Sequence, residues 1–309
     1  MLYPLFLTPA LKDFIWGGRR LPAEYGYETA LDKVAEAWVL SCHPQGSCVV
    51  RNGPLAGKTL PQALAEEGLT GEFPLLIKLI DARDRLSVQV HPDDAYARRV
   101  EGEQGKTEMW VVLDCEPGAR LLYGLTRELT RETLERHIRE NTLDEVARYV
   151  PVKPGDCFFI PAGTLHAIGA GILLAEVQQN SATTYRVSDY GRLGADGKPR
   201  ALHVEKALDV TTLTPTPLTT DGLWEQAGEG FTCRRLAECA YFTADRVAVT
   251  GRWACPTAEA FRHLLCLDGA GTLTADGIDY PLTKGDSVYM PAGMAFSVAG
   301  TADLLVSKK

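Results

Sequence analysis

The stretch GDCFFIPAGTLHAIG, residues 155–169, decides the fold. It begins at the turn former Gly155, continues with a short apolar run and reaches a second turn at Pro161 and Gly163, which predicts one strand between two tight turns. The same framework returns as GDSVYMPAG, residues 285–293. Two copies of one strand–turn signature predict two related β-barrels in tandem, because a solenoid would need more repeats.

Outside these copies, short apolar runs broken by Gly, Pro and Asp predict a mainly β chain of two jelly-roll barrels with a few short helices. The clearest helical pattern is 127–148, where Thr130 and Thr142 are suited to cap successive short helices. Two further helices are predicted at 60–67 and from near Leu202.

A linker is predicted between the two barrels. The segment TTLTPTPLTTD, residues 211–221, is rich in Thr and Pro and nearly free of charge. We therefore expect one domain over residues 1–215, which includes the helical segment, and a second over residues 216–309.

The composition limits the possible partners. The 309 residues include 40 acidic and 32 basic ones, for a net charge of -8, so binding to nucleic acid through the general field is not expected. The start of the chain has no basic residue ahead of its apolar run, and no run approaches the roughly 20 apolar residues of a membrane helix. The eight cysteines form no C-x-x-C pair, which favours reduced thiols in a cytoplasmic protein.

Four side chains have the spacing of a metal site. Gln89 and His91 lie two apart in the strand-like run SVQVHPDD, so both point to one face. Glu108 begins another predicted strand, and His166 follows the turn at Gly163. Two imidazoles, one carboxylate and one amide oxygen suit zinc with a position left open, as in catalytic sites.

Residues 155–166 resemble the cupin pattern G-x5-P-x-G-x2-H, so both barrels are expected to be cupin-like. In cupins the other ligands come from an H-x-H pair and a Glu, and here Gln89 stands in place of the first His. Of the other histidines, His137 and His203 are predicted to be solvated, whereas His43 could lie near the site.

The second barrel is predicted to bind no metal and to serve as a scaffold. Phe296 takes the place of His166, and aligning 264–269 with 110–115 sets Arg262 opposite Glu108. His263 then falls opposite Met109 and faces the other side of the strand. A phenylalanine in the pocket and an arginine at its rim would exclude a cation.

Several segments together resemble the type I mannose-6-phosphate isomerases, in a short form without a large helical insertion. They run in order over the first two-thirds of the chain and are WGG (16–18), EAWVLSCHPQGS (36–47), FPLLIKLIDARDRLSVQVHPDD (73–94), GKTEMWVVLD (105–114) and residues 155–192. The resemblance implies interconversion of mannose 6-phosphate and fructose 6-phosphate through a cis-enediol. It also implies one zinc per chain, held by Gln89, His91, Glu108 and His166.

The resemblance further implies that Arg186 is an essential active-site arginine. It places Trp16, Ser87, Lys106 and Glu176 along the pocket. Arg186 and Lys106 could hold a phosphate or a developing oxyanion.

For each of these residues a plainer role stays open. Arg186 could be a surface partner of Asp189, and Lys106 a solvated loop charge. Glu176, an acid in an apolar strand, could be a general base whose pKa is raised by burial, or a structural partner of an arginine. A metal-bound water is a third candidate for the base. Lys78 could face the cavity or lie on an exposed edge.

Two other functions compete with the isomerase. A cupin can host other metal chemistry, such as that of an iron-dependent dioxygenase, and a non-catalytic sugar-phosphate sensor is also conceivable. Gln89, GKTEMW and Arg186 favour the isomerase, because oxygenases usually retain the His pair and need no phosphate clamp. The expected partner is a small sugar phosphate, and the expected state a monomer or a weak homo-oligomer.

Overall fold

The computed structural model describes residues 2–194 and 197–309, and it confirms a mainly β fold. In its N-terminal part, strands and helices alternate irregularly. They are β1 Leu5–Thr8, β2 Ala10–Lys12, α1 Arg20–Tyr25, β3 Glu36–Leu40, β4 Val49–Val50, α2 Leu60–Glu66, β5 Leu75–Ala82, β6 Val88–Val90, α3 Asp94–Val100, β7 Glu108–Cys115, β8 Arg120–Leu125, α4 Arg131–Arg139, β9 Ala147–Pro151, β10 Cys157–Ile160, β11 His166–Ala167, β12 Ile172–Gln179, β13 Tyr185–Ser188 and α5 Val204–Val210. Short 3₁₀ turns lie at Gly53–Leu55 and Leu143–Glu145.

The C-terminal part consists of strands alone within the described residues. They are β14 Trp224–Gly228, β15 Phe231–Glu238, β16 Thr243–Val249, β17 Arg252–Cys255, β18 Arg262–Ala275, β19 Ile278–Thr283, β20 Ser287–Met290 and β21 Phe296–Lys308.

Two facing antiparallel sheets build the first barrel-like unit. One has the order β10-β7-β12-β5-β3-β2 and the other the order β13-β6-β11-β8-β9. Trp110 and Leu174 from the first sheet meet Leu121 and Tyr123 from the second in a shared apolar core. The second sheet carries the shorter strands, and its β6 and β13 supply polar side chains to the cavity described below.

One ten-stranded sheet builds the second unit, in the order β14-β15-β16-β21-β18-β20-β1-β4, with β17 on β21 and β19 on β18. It surrounds an apolar core that includes Phe296, which packs edge-on against Trp253 with 5.6 Å between the ring centroids. Two of its strands, β1 and β4, come from the beginning of the chain. Strands from both sides of the predicted boundary therefore share a sheet, and the division at residues 215 and 216 stays a prediction.

The repeated framework has the same backbone conformation in both units. Gly155 and Gly285 have φ of 91° and 90°, and Gly163 and Gly293 have φ of 88° and 80°. Side chains other than glycine rarely adopt these left-handed angles, so the repeat sets two turns of each barrel.

Helices are present in all three predicted regions, but two predictions about their side chains are wrong. Thr130 caps α4 by accepting a hydrogen bond from the Thr133 amide at 3.2 Å. Thr142 precedes a 3₁₀ turn but caps nothing with its side chain, because its hydroxyl lies 2.8 Å from Nδ1 of His137. The prediction that His137 is solvated is wrong: it lies on the buried face of α4, beside Leu134.

The prediction for His203 is also wrong, since this residue is half-buried and its Nδ1 accepts a hydrogen bond from the Arg186 amide at 3.2 Å. The eight cysteines are all free, and four of them are buried. Within residues 2–194 and 197–309, no helix has the length and apolar character needed to cross a membrane.

Candidate active site

Three buried side chains at one end of the first unit form a group that could hold a metal. They are His91, directly after β6, Glu108, the first residue of β7, and His166, the first residue of β11. One ligand atom of each lies within 4.8 Å of the other two. Nε2 of His91 is 3.5 Å from the Glu108 carboxylate, and Nε2 of His166 is 3.3 Å from it. Gln89 lies opposite His166 in the β6–β11 pair, with its amide nitrogen 3.4 Å from His166 Nε2.

The hydrogen bonds of the two imidazoles fit a metal ligand role. Nδ1 of His91 lies 2.9 Å from the Thr183 carbonyl, and Nδ1 of His166 lies 2.8 Å from the Thr164 carbonyl. A carbonyl only accepts, so each Nδ1 carries the proton and each Nε2 presents a lone pair to the centre of the group. Burial lowers the pKa of His166 to about 4 and that of His91 well below its usual value, so both rings are neutral, as metal ligands must be.

The carboxylate of Glu108 also fits this role. Both of its oxygens are buried and, among the described residues, have no hydrogen-bond partner. Burial raises the pKa of Glu108 well above its usual range, so its ionised form depends on positive charge nearby, such as that of Lys106. Lys106 Nζ lies 2.8 Å from one oxygen and forms an ion pair with it. Two neutral imidazoles and a carboxylate without hydrogen bonds form a donor set that matches a divalent cation.

Two buried lysines stand beside this group. Lys106 Nζ is 3.5 Å from Glu176, and Lys78 Nζ is 3.3 Å from the same carboxylate and 3.7 Å from Glu36. The open alternatives of a solvated Lys106 and an edge-exposed Lys78 are therefore wrong, because both side chains face the cavity and are less than a tenth exposed.

The expectation of a raised pKa for Glu176 is wrong as well. Burial does act to raise it, but Lys78 and Lys106 lower the pKa of this carboxyl well below its usual range. Its partners are lysines rather than the arginine considered as an alternative. The same carboxylates raise the pKa of Lys106 against the effect of burial, so Glu176 is a carboxylate and Lys106 an ammonium at neutral pH.

A cavity of about 280 Å³ opens next to the His–Glu–His group. Of the pocket residues expected from the sequence, the structure brings together Trp16, Ser87, Gln89, Lys106, Glu176 and Arg186. It adds Glu36, Trp38, Lys78 and Arg200, of which only Lys78 was considered from the sequence. Glu36 and Trp38 alternate in the strand run EAWVL, and this alternation, within the family-like segment 36–47, is the signal that could have found them.

Arg186 lies on the wall of this cavity. Its Nε donates to the Ser87 hydroxyl at 3.2 Å and its Nη1 to the Ala201 carbonyl at 3.0 Å. The alternative pairing with Asp189 is not observed, because Asp189 is bound by Arg192 at 2.6 Å and by Arg200 at 2.7 and 2.5 Å. Arg186 thus has no carboxylate partner among the described residues, and its charge can be offered to an anion in the cavity.

His43 contacts Trp38, one of the residues that line the cavity. Its ring packs edge-on against Trp38 with 5.7 Å between the centroids, and its Nδ1 accepts a hydrogen bond from the Gln45 amide at 3.2 Å. It is buried and lies outside the cavity lining.

Comparison with known proteins identifies the family of the chain. Residues 5–114 match the family model of the phosphomannose isomerase type I catalytic domain, and residues 232–309 match that of the mannose-6-phosphate isomerase cupin domain. The chain is 40% identical over 312 residues to the mannose-6-phosphate isomerase ManA of Bacillus subtilis (strain 168), covering 98% of each chain. It is 39% identical over 297 residues to the mannose-6-phosphate isomerase of Streptococcus mutans, covering 94% of this chain and 93% of that protein.

The fold is similar to that of the crystal structure of the mannose 6-phosphate isomerase from Bacillus subtilis. The two align with a TM-score of 0.92 and 38% identity, covering 99% of each chain. The family models, the identity over nearly the whole length and the shared fold agree: the chain belongs to the type I phosphomannose isomerases, a family of isomerase enzymes.

Proposed function

We propose that the chain interconverts D-mannose 6-phosphate and D-fructose 6-phosphate, with one zinc ion held by His91, Glu108 and His166 and assisted by Gln89. The observation that carries this proposal is the buried His–Glu–His group at a cavity that also holds Arg186, which has no carboxylate partner among the described residues. The names of the relatives supply the substrate class.

Isomerisation of an aldose to a ketose moves a proton from C2 to C1 and another from O2 to O1, through a cis-enediol. A bound zinc ion supplies positive charge that stabilises oxyanion character at O1 and O2. The chain's own residues must then bind the phosphate, orient the sugar and handle the protons.

Two groups of side chains in the cavity suit these tasks. Arg186, with Ser87 beside it and Arg200 nearby, forms a cationic region in a chain of net charge -8, which suits the phosphate. Lys106 and Glu176 lie beside the His–Glu–His group, 3.5 Å apart. The ammonium can donate to a sugar oxygen, and the Glu176 carboxylate, whose lowered pKa makes it a weak base, can hold that ammonium in position.

Trp16 and Trp38 give the cavity apolar walls. A closed apolar wall excludes water from the reacting carbons and strengthens the polar contacts there. We further propose a cytoplasmic enzyme whose partner is a small sugar phosphate, and two units of which only residues 1–215 bind metal.

Activity with and without a chelator tests the proposal. Purified protein should interconvert the two sugar phosphates, lose activity on chelation and regain it with added zinc, while metal analysis returns one zinc per chain. Full turnover by metal-free protein would refute the zinc proposal, and absence of turnover in zinc-loaded protein would refute the activity.

The dioxygenase alternative is less well supported. Gln89 occupies the place of one imidazole, and two buried lysines lie beside the metal-type group. Oxygen consumption without sugar isomerisation would favour it.

A further inference from the structure

A buried polar cluster lies outside the cavity, where the ten-stranded sheet packs against β3. It consists of His263 on β18, Ser287 on β20 and Ser307 on β21, and each side chain is 0% exposed. The neighbouring residues Leu265 and Tyr289 belong to the apolar core that joins the two units. Burying polar groups at such a place is unfavourable unless they are paired, so the pairing of this cluster is informative.

The hydrogen bonds of the cluster run in one direction. The Ser287 hydroxyl lies 2.5 Å from the Val39 carbonyl, which can only accept, so the serine donates to it. A hydroxyl has one proton, and Ser287 therefore accepts from Nε2 of His263 at 2.8 Å. Nδ1 of His263 has no hydrogen-bond partner in the described part of the chain, which agrees with a neutral ring protonated at Nε2.

Val39 is the extra residue of a β-bulge in β3. In the β3–β5 pair, Trp38 lies opposite Lys78 and Leu40 lies opposite Ile77, so Val39 has no counterpart. A bulge leaves its extra residue outside the ladder and turns the strand locally. The carbonyl of this residue is the one that Ser287 holds.

The bulge decides which side chains of β3 face the cavity. Glu36 and Trp38 line it, and strict alternation would add Leu40 to the same face. Instead, Val39 and Leu40 both lie in the core that joins the two units. Trp38 in turn donates from its indole nitrogen to Glu36 at 2.6 Å, and Glu36 lies 3.7 Å from Lys78.

We propose that Ser287, oriented by His263, is a positioning residue of the active site: it holds the bulge at Val39 and so directs Trp38 and Glu36 into the cavity. The C-terminal unit thereby shapes the substrate site without contacting substrate. The catalytic consequence rests on the isomerase activity proposed above, whereas the structural consequence does not.

Ser307 provides a matched control. It is a serine of the same burial, on the strand next to His263 and directly opposite it, but its hydroxyl has no hydrogen bond. Ser287→Ala and Ser307→Ala therefore remove the same atom from the same cluster, and only the first removes the contact to Val39. Ser287→Cys, nearly equal in size but a weak donor, serves if the alanine variant does not fold.

The structural readout is the indole N–H resonance of Trp38 in full-length protein labelled with ¹⁵N at its five tryptophans. The resonance is assigned by its loss in Trp38→Phe. Ser287→Ala and Ser287→Cys should shift it, because the hydrogen bond to Glu36 depends on the bulge, and Ser307→Ala should leave it in place.

The kinetic readout is turnover of mannose 6-phosphate by zinc-loaded protein. Ser287→Ala should lower kcat/KM about tenfold, mainly through kcat, since displacements of about 1 Å far from the reacting atoms can reduce rates up to 10²-fold. Ser307→Ala should match the wild type. The proposal would be overturned if folded Ser287→Ala or Ser287→Cys had the same Trp38 resonance and the same kcat/KM as Ser307→Ala. An inactive wild type would instead count against the proposed function, and the resonance would still decide the positioning role.

Discussion

The ligand set of the His–Glu–His group leads to the first expectation. His166 is fully buried, and its ring is oriented by the Thr164 carbonyl at 2.8 Å. His166→Ala should abolish both bound zinc and turnover, because two protein ligands of the buried triad form a poor site. Metal analysis after dialysis, together with circular dichroism to establish folding, checks this. Retention of stoichiometric zinc by the variant would contradict the ligand assignment.

The second expectation concerns Arg186, which has no carboxylate partner among the described residues. Arg186→Ala should lower kcat/KM by about 10²-fold or more, as loss of a charge-assisted contact to an anion commonly does. The kcat/KM of Arg186→Lys should lie between those of the wild type and Arg186→Ala, because lysine keeps the charge but not the planar guanidinium group. Steady-state kinetics of zinc-loaded protein provide the measurement.

Arg246→Ala is the matched control for Arg186. Arg246 lies on β16, away from the cavity, and forms an ion pair with Asp303 at 2.6 Å. The Arg246→Ala variant should therefore have the same kcat and KM as the wild type. Equal, near-normal kinetics for Arg186→Ala and Arg246→Ala would show that Arg186 has no role in binding or turnover.

At the scale of single residues, the sequence predicts a site residue when that residue lies in a local motif. It does not predict contacts that depend on the register between strands. Gln89, His91, Glu108 and His166 are predicted because they stand in short motifs with strand spacing, and the structure places His91, Glu108 and His166 in one group. The salt bridges of Lys78 with Glu36 and Glu176 could not be found, because they require the pairing of β3, β5 and β12 across long loops. The lowered pKa of Glu176 follows from its contacts with Lys78 and Lys106, which the sequence cannot predict for the same reason.

Among the elements, the cap of α4 offers a stability test. The Thr130 hydroxyl accepts a hydrogen bond from the Thr133 amide, which otherwise has no partner in the first turn. Thr130→Ala should lower the free energy of unfolding by about 1 kcal/mol, the usual value for such a cap. Urea denaturation checks this, and Thr130→Ser, which keeps the hydroxyl, should resemble the wild type. No difference between the two variants would mean that the cap contributes nothing.

Helix positions were predicted better than the environment of their side chains. The pattern at 127–148 contains α4 and a 3₁₀ turn, yet His137 looked solvated because charged residues surround it in sequence. In the structure Leu134 and His137 share the inward face of α4, and Thr142 partners the ring. A strongly charged helix of nine residues shows its buried face only once its neighbours are placed.

On the scale of the whole molecule, the two units depend on each other. A single apolar core joins them, with Val39, Ile77 and Val111 on one side and Leu265 and Leu305 on the other. A fragment ending at Asp221 would expose this core and leave β1 without its partner β20. It should be insoluble or unfolded, which expression and circular dichroism will show. A soluble and fully active fragment would refute this dependence.

The repeat in the sequence predicted two units but not how they share strands. Nothing in the four residues LFLT of β1 indicates a partner, because an isolated apolar tetrapeptide pairs equally well with many edges. Its register with Ser287 and Tyr289 emerges only from the assembled sheet.

The pairing of β1 with β20 also has a consequence in time. Leu5–Thr8 is synthesised well before Ser287–Met290, its partner in the sheet. Roughly 280 residues separate the two strands. At about 5–20 residues per second, β20 is synthesised on the order of 15 to 60 seconds after β1. During that interval β1 can pair with β4 but not with β20, so one edge of this apolar strand stays unpaired until β20 has been synthesised.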